Sequence, residues 1–308
     1  MTPTHRRGVG SVPYTVEFTD EGVRRWTLTG GGARADLDRS YRPSVYVSAP
    51  DEAALGTLRR FVGDLPAVER VRVERRRTGW RDDPGAVLRV DVRDVGSVRD
   101  VASTVRGWGA PGEYRPFDVD LSPGFRYCLD TGTDPAPSRP LATLRVAVPE
   151  RALGAGRGET VSATVGGDET REETVRGAAG EVVDAVAARV CAVDPDVLVL
   201  NTAEVVPWAF EVTGDAAFAL GRREGYRRLA GRSTYTSYGR VGHSPARYRV
   251  PGRVLVDESN AFLWNETGPA GCLDLVERSG KPLSELARAS IGNVLTAIQV
   301  REARERGV

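Results

Sequence analysis

The chain has 308 residues, 28% of them charged and 40% hydrophobic, which is the composition of a soluble globular protein. That length suits two domains better than one core, and no run approaches the ~18–20 apolar residues that span a bilayer. The net charge of +1 excludes a polycation, so nucleic-acid binding would require a local basic patch.

Residues 1–10 are partly basic but lead into no apolar segment, so no secretory signal is expected and a cytoplasmic location follows. Tyr14, Val16 and Phe18 alternate with polar residues as a half-buried strand does, and Trp26 and Leu28 continue the pattern after a turn. Gly30, Gly31 and Gly32 mark a hairpin. A clearer unit begins near Pro43. Val45 to Val47 form a strand, and Asp51 caps a helix carrying Leu55, Leu58 and Val62. Val68, Val71 and Val73 form a strand, and Val87, Leu88, Val90 and Val92 form another. Ser97 caps a helix with Val98, Val101, Ala102 and Val105 inward, and Phe125, Tyr127 and Leu129 read as a closing strand. The order β-α-β-β-α-β over about 43–130 is ferredoxin-like. RNA-recognition modules share it, but the third strand here offers none of their stacking aromatics.

The stretch 131–140 is rich in Pro, Thr and Ser and marks the domain boundary. A strand is expected over 141–148, then a Gly-rich stretch from Gly154 to Gly167 whose Gly154, Gly156 and Gly158 read as a surface loop, then a long helix from about Glu169 to Cys191 stopped by Asp194-Pro195. Val197 to Leu200 and Val254 to Val256 read as buried strands, so the second half is α/β. A short helix should end at Gly280, followed by one continuous helix with Leu283, Ala287, Ile291, Val294 and Ile298 on its apolar stripe.

Isolated chemical motifs are weak. The three cysteines lack C-x-x-C spacing and read as buried free thiols. Asp130-Thr131-Gly132 resembles half of an aspartic-protease dyad but reads as a turn, since that chemistry needs two carboxylates sharing a proton. Gly154, Gly156 and Gly158 precede Glu159 rather than the lysine of a phosphate loop. His5 and His243 have no ligand-like spacing. Ser237-Tyr238-Gly239 reads as a coincidental tripeptide. Arg75, Arg76 and Arg77 with Trp80 are a candidate phosphate-backbone contact, partly cancelled by Asp82 and Asp83.

Several stretches, in order, resemble the archaeal-type family B DNA polymerases. Tyr41-Arg42-Pro43-Ser44-Val45-Tyr46-Val47 and Phe117-Asp118-Val119-Asp120-Leu121-Ser122-Pro123-Gly124-Phe125 resemble parts of the family's N-terminal domain. Asp194-Pro195-Asp196-Val197-Leu198-Val199-Leu200-Asn201 resembles the strand of its second exonuclease motif. Lys281-Pro282-Leu283-Ser284-Glu285-Leu286-Ala287-Arg288-Ala289-Ser290-Ile291-Gly292 resembles the helix leading to its palm. The resemblance implies an N-terminal domain over 1–137, a ribonuclease H-like exonuclease domain over 138–270, and a helical segment over 271–308.

The resemblance also locates the chemistry, and finds it missing. Two-metal nucleases hold their ions on clustered carboxylates. The first motif's Asp and Glu positions are Ala147 and Pro149, and the second motif's Asp position, five after Asn201, is Val206. The third motif has no match, and neither palm signature, Asp-x-x-Ser-Leu-Tyr-Pro or Asp-Thr-Asp, occurs. The expectation is a non-catalytic, DNA-associated piece of a polymerase, truncated or one part of a split enzyme, needing no cofactor. It would bind primer-template or single-stranded DNA and dock a palm-containing subunit through Leu283, Ile291, Val294 and Ile298. Two alternatives remain: a weak Mg²⁺-dependent nuclease using the displaced acids Glu150, Glu204, Asp257 and Glu266, and a protein-interaction fragment without DNA binding.

Overall fold

The computed structural model describes residues 12–167, 170–237 and 239–308. Expectations placed on residues 1–10, Glu169 and Tyr238 lie outside the described residues. Strands β1 (Pro13–Thr19), β2 (Gly22–Thr29) and β3 (Gly32–Asp38) form an antiparallel sheet in that order. The β2–β3 turn falls on the glycines, where Gly32 takes φ 111°.

The ferredoxin-like unit follows. It consists of β4 (Ser44–Ser48), α1 (Glu52–Gly63), β5 (Val68–Arg76), β6 (Gly85–Val92), α2 (Val98–Trp108) and β7 (Arg115–Phe117). Asp51 caps α1 through the Ala54 amide at 2.8 Å. Ser97 precedes α2 but makes no side-chain cap bond; its hydroxyl is held by Asp94 instead. The sheet order is β5-β6-β4-β7, antiparallel throughout. Leu58, Val62, Leu88, Val90 and Val105, all at 0% exposure, lie in the core between the sheet and the two helices. Each such burial contributes roughly 1.5–3 kcal/mol.

The expected closing strand at Phe125–Leu129 is instead a helix, α3 (Pro123–Thr131), and the sheet closes on Arg115–Phe117. Pro123 opens α3, a long-range carboxylate covers its first amides, and Gly132 ends it at φ 66°. Its residues 124–128 are buried on every side, which hides the helical period. The Asp-Thr-Gly triplet is therefore a helix end, with Asp130 accepting from the Tyr41 hydroxyl at 2.9 Å.

The second half is built on β8 (Thr143–Ala147), β9 (Thr160–Gly167), β10 (Thr170–Ala178), α4 (Ala179–Val193), β11 (Val197–Leu200) and α5 (Val205–Thr213). Then come the short strands β12 (Arg227–Ala230), β13 (Ser233–Ser237), β14 (Arg240–Ser244) and β15 (Arg247–Arg249), followed by β16 (Val254–Asp257). The sheet runs β10-β9-β8-β11-β16, antiparallel through β8 and parallel beyond it, the ribonuclease H-like arrangement.

Gly154, Gly156 and Gly158 lie in a loop as expected, and beyond them Val161, Ala163 and Val165 alternate into the core as β9. The long helix begins only at Ala179, since the residues before it pair with β9 as β10. Glu181 accepts from the Ala178 amide at 3.2 Å and fixes that start.

The chain then enters α6 (Phe262–Ser279), α7 (Leu283–Leu286) and α8 (Ile291–Glu305). α6 starts earlier than expected and kinks where Gly268, at φ 66°, precedes Pro269. The single terminal helix is two, because Ser290 caps a new start through the Asn293 amide at 3.3 Å. One core joins Tyr14, Trp26 and Leu28 of the first sheet to Val199, Val256 and these helices. Cys128 and Cys272 are buried as expected, whereas Cys191 is exposed, because it lies on the outward face of α4.

Candidate nucleic-acid interface

The positions where nuclease carboxylates were sought lie on one face of the central sheet. Leu144, Val146 and Val148 point into the α4-side core, so alternation turns Arg145 and Ala147 to the other face. Ala147 ends β8 and Pro149 follows it. Asn201, just after β11, accepts from the Val148 amide at 3.0 Å and donates to the Val148 carbonyl at 2.9 Å. It ties the two strand ends together as a ladder would. Val206 is fully buried in α5. On this face Arg145 donates two bonds of 2.8 Å to Glu258, a closed bidentate pair.

At the positions the resemblance assigns to carboxylates, a methyl, a pyrrolidine and a buried isopropyl offer no oxygen to a metal. The displaced acids do not converge either. Glu204 accepts from Arg232 at 2.9 Å and from the Tyr248 hydroxyl at 3.3 Å. Asp257 lies close enough to feel Glu204. Its carboxyl is pushed up by burial, against hydrogen bonds from Ser259, with Glu204 adding to the rise. Glu150 sits on an exposed turn and Glu266 is exposed on α6. Among the described residues, no group of three or more His, Cys, Asp or Glu could hold a metal ion.

A different constellation fills the space between the first sheet, the ribonuclease H-like sheet and α7. Strands β12 and β15 pair Arg227 with Arg249 and Arg228 with Tyr248. They line a cavity of about 350 Å³ together with Arg247 and Arg288. Arg247 and Arg288 also line a neighbouring cavity of about 450 Å³ that reaches Arg99 and Lys281. The two cavities make one groove with those two arginines at the junction. Among the described residues, the side chains of Arg228, Arg247 and Arg288 make no hydrogen bond or ion pair. Arg227 and Arg249 donate only to the Phe18 carbonyl, at 3.0 and 3.2 Å.

The nearby acids are engaged elsewhere. Glu285 accepts from Ser122 at 2.5 Å and from the Gly124 and Phe125 amides at 2.8 and 3.1 Å. Glu17 accepts from the Gly252 amide at 2.6 Å. The cations therefore repel one another. Arg249 is held below the ordinary arginine range by burial, with Arg227 and Arg24 reinforcing and Glu17 opposing. Arg288 is lowered by burial and then by Arg247, with Glu285 opposing. Sequence reading missed this groove because its arginines lie on two short strands and beyond α7, and meet only in the fold.

The basic triplet dissolves in the structure. Arg75 donates to the Pro84 carbonyl at 2.6 Å, and Arg76 turns to the opposite face, onto Glu74 at 2.8 Å. Arg77 lies beyond the strand and is exposed. Trp80 is 63% exposed. The terminal stripe is also not a free docking face. Leu283 and Val294 are 2% and 3% exposed and, with half-buried Ile298, pack on the chain's own core. Of the expected docking residues only Ile291 stays outside, at 58%, because the break before α8 turns it away.

No family model and no curated protein sequence matches the chain. Among solved structures, its fold is that of a family B DNA polymerase, as the sequence motifs led one to expect. One such structure is the family B DNA polymerase from the hyperthermophilic archaeon Pyrobaculum calidifontis, with a TM-score of 0.69 and 20% identity. It covers 96% of this chain and 50% of that one, so the chain spans about half the length of the polymerase it resembles. Among the described residues, no helix is long and apolar enough to cross a membrane.

Proposed function

We propose that the chain is a non-catalytic, DNA-associated module of the family B polymerase kind, with the exonuclease chemistry lost. The observation that carries this reading is the arginine groove of Arg227, Arg228, Arg247, Arg249 and Arg288, whose side chains make no ion pair among the described residues. A phosphate backbone supplies the missing charge. The polymerase-like fold supports DNA as the polyanion, and the alanine, proline and valine at the nuclease positions support the loss of hydrolysis. In this reading the module holds a template strand, and a palm-containing partner supplies synthesis. Ile291 and Leu295, both more than half exposed on α8, are the apolar contacts left for such a partner.

The test is fluorescence anisotropy with a labelled primer-template, together with a digestion assay in Mg²⁺ or Mn²⁺. Binding should weaken steeply with salt, as counterion release requires. Arg247→Ala combined with Arg288→Ala should weaken it by on the order of tenfold. Salt-independent binding, or binding untouched by that double variant, overturns the groove. A 3′–5′ digestion that chelation abolishes overturns the loss of nuclease chemistry.

A further inference from the structure

The ferredoxin-like sheet has a second face, opposite α1 and α2, that neither helix covers. After the β-bulge between Val68 and Arg70, alternation along β5 puts Arg70, Arg72, Glu74 and Arg76 on this face, beside Arg89 and Asp91 of β6 and Tyr46 of β4. Val71, between them, packs on the helix-side core. Four arginines share two carboxylates. Asp91 receives Arg70, Arg72 and Arg89 at 3.2, 3.4 and 2.7 Å. Glu74 receives Arg72, Arg76 and Arg89 at 3.3, 2.8 and 3.5 Å. The ladder therefore carries two positive charges in excess, and its outer members are open, with Arg70 and Arg72 side chains 63% and 40% exposed.

Aromatic rings interleave with it. Arg76 lies 4.7 Å from the Tyr46 centroid, and Arg304 of α8 lies 5.2 Å from it. Two residues on, Arg306 lies 5.3 Å from the Trp80 ring. The same helix end thus touches both aromatics, which brings Trp80, at the tip of the β5–β6 hairpin, to the edge of the ladder's face. Trp80 remains 63% exposed, although an indole normally buries most of its surface.

We propose that this face is a binding site for single-stranded nucleic acid, separate from the groove. Arg70 and Arg72 meet successive phosphates and Trp80 stacks on a base. A gently twisted sheet suits a splayed strand with accessible bases, whereas reading a duplex requires an element that enters a groove. Arginine planes beside an exposed indole are the combination that holds single strands without sequence preference. Of the triplet Arg75, Arg76 and Arg77 only Arg76 lies on this face, since neighbours in a strand point to opposite faces.

The experiment measures anisotropy of labelled single-stranded DNA and RNA, with a duplex for comparison, on the full chain across a salt series. Arg70→Ala with Arg72→Ala should weaken single-strand binding on the order of tenfold and flatten the log–log salt slope by about 1.4, two phosphates' worth. Trp80→Ala should weaken it about five- to a hundredfold, and Trp80→Phe should retain most of it. Trp80 is the most exposed of the chain's five tryptophans, so binding should quench intrinsic fluorescence in the parent and not in Trp80→Phe. Unchanged thermal melts certify that the variants fold. If the ladder and Trp80 variants bind as the parent does, or the parent holds duplex as tightly as single strands, the proposal is wrong. Loss confined to Arg247→Ala with Arg288→Ala removes this site and leaves the groove. Loss confined to the ladder variants does the reverse, and an absence of binding to any oligonucleotide removes both.

Discussion

Asp91 shows how much one carboxylate can organise. It is 3% exposed and accepts from Ser44 at 2.9 Å as well as from its arginines. Burial alone would raise its pKa, but the bonds from Arg89 and Ser44 outweigh burial and hold it below the ordinary carboxylate value. A depressed folded-state pKa contributes stability above the unfolded value of ~3.9, and that contribution is lost as the pH falls through the folded value. Asp91→Asn should therefore destabilise the protein at pH 7 by about 1–3 kcal/mol. In urea titrations at several pH values, the gap to the parent should close below pH ~4. A gap independent of pH would mean that the charge of Asp91 is immaterial. Cys128 illustrates the opposite balance, because burial pushes its thiol well up and leaves it an inert core group.

Among the elements, α3 depends most on distant residues. Its first amides are capped by Glu285, about 160 positions away, rather than by a neighbour. Lys281, 5% exposed, donates to the same Ser122 hydroxyl at 2.9 Å. Glu285→Ala should cost about 1–3 kcal/mol in denaturant unfolding, because it leaves two amides and a hydroxyl unsatisfied, whereas Glu285→Gln should keep part of that. Equal losses would assign the effect to charge rather than to hydrogen bonding. The same dependence explains the misreading of α3 as a strand. The local sequence alternates Phe125, Tyr127 and Leu129, and the cap that decides for helix is invisible nearby. β10 fails for a related reason, since only its partner β9 makes it a strand.

On the scale of the whole molecule there are two kinds of core. The ferredoxin-like unit encloses its own, with Phe61 and Trp108 stacked at 4.4 Å. The first sheet has none to itself: Tyr14, Trp26 and Leu28 belong to the core they share with the second half. A polar network reaches across that junction: Asp196, fully buried, meets Arg139 at 2.8 Å and Arg222 at 3.0 Å, and Arg222 donates to the Tyr14 hydroxyl at 2.5 Å. Hydrogen exchange should therefore show β1 to β3 protected together with β11 and β16, while the unit of α1 and α2 opens as a separate cooperative piece. Uniform protection across both would mean a single unfolding unit.

Composition, periodicity and ordered motifs were enough to determine the ferredoxin-like order, the α/β second half and the likeness to family B polymerases. These are local signals, set by side-chain alternation and helical period, and they survive in one dimension. The reading of Ala147, Pro149 and Val206 at the positions the resemblance assigns to carboxylates is equally local, since it needs only the aligned motifs. The charge constellations were decided only by tertiary structure. Arg227 meets Arg249, and Arg72 meets Arg89, through strand pairing. Whether an arginine is neutralised or left seeking a phosphate depends on which carboxylates the fold brings near it.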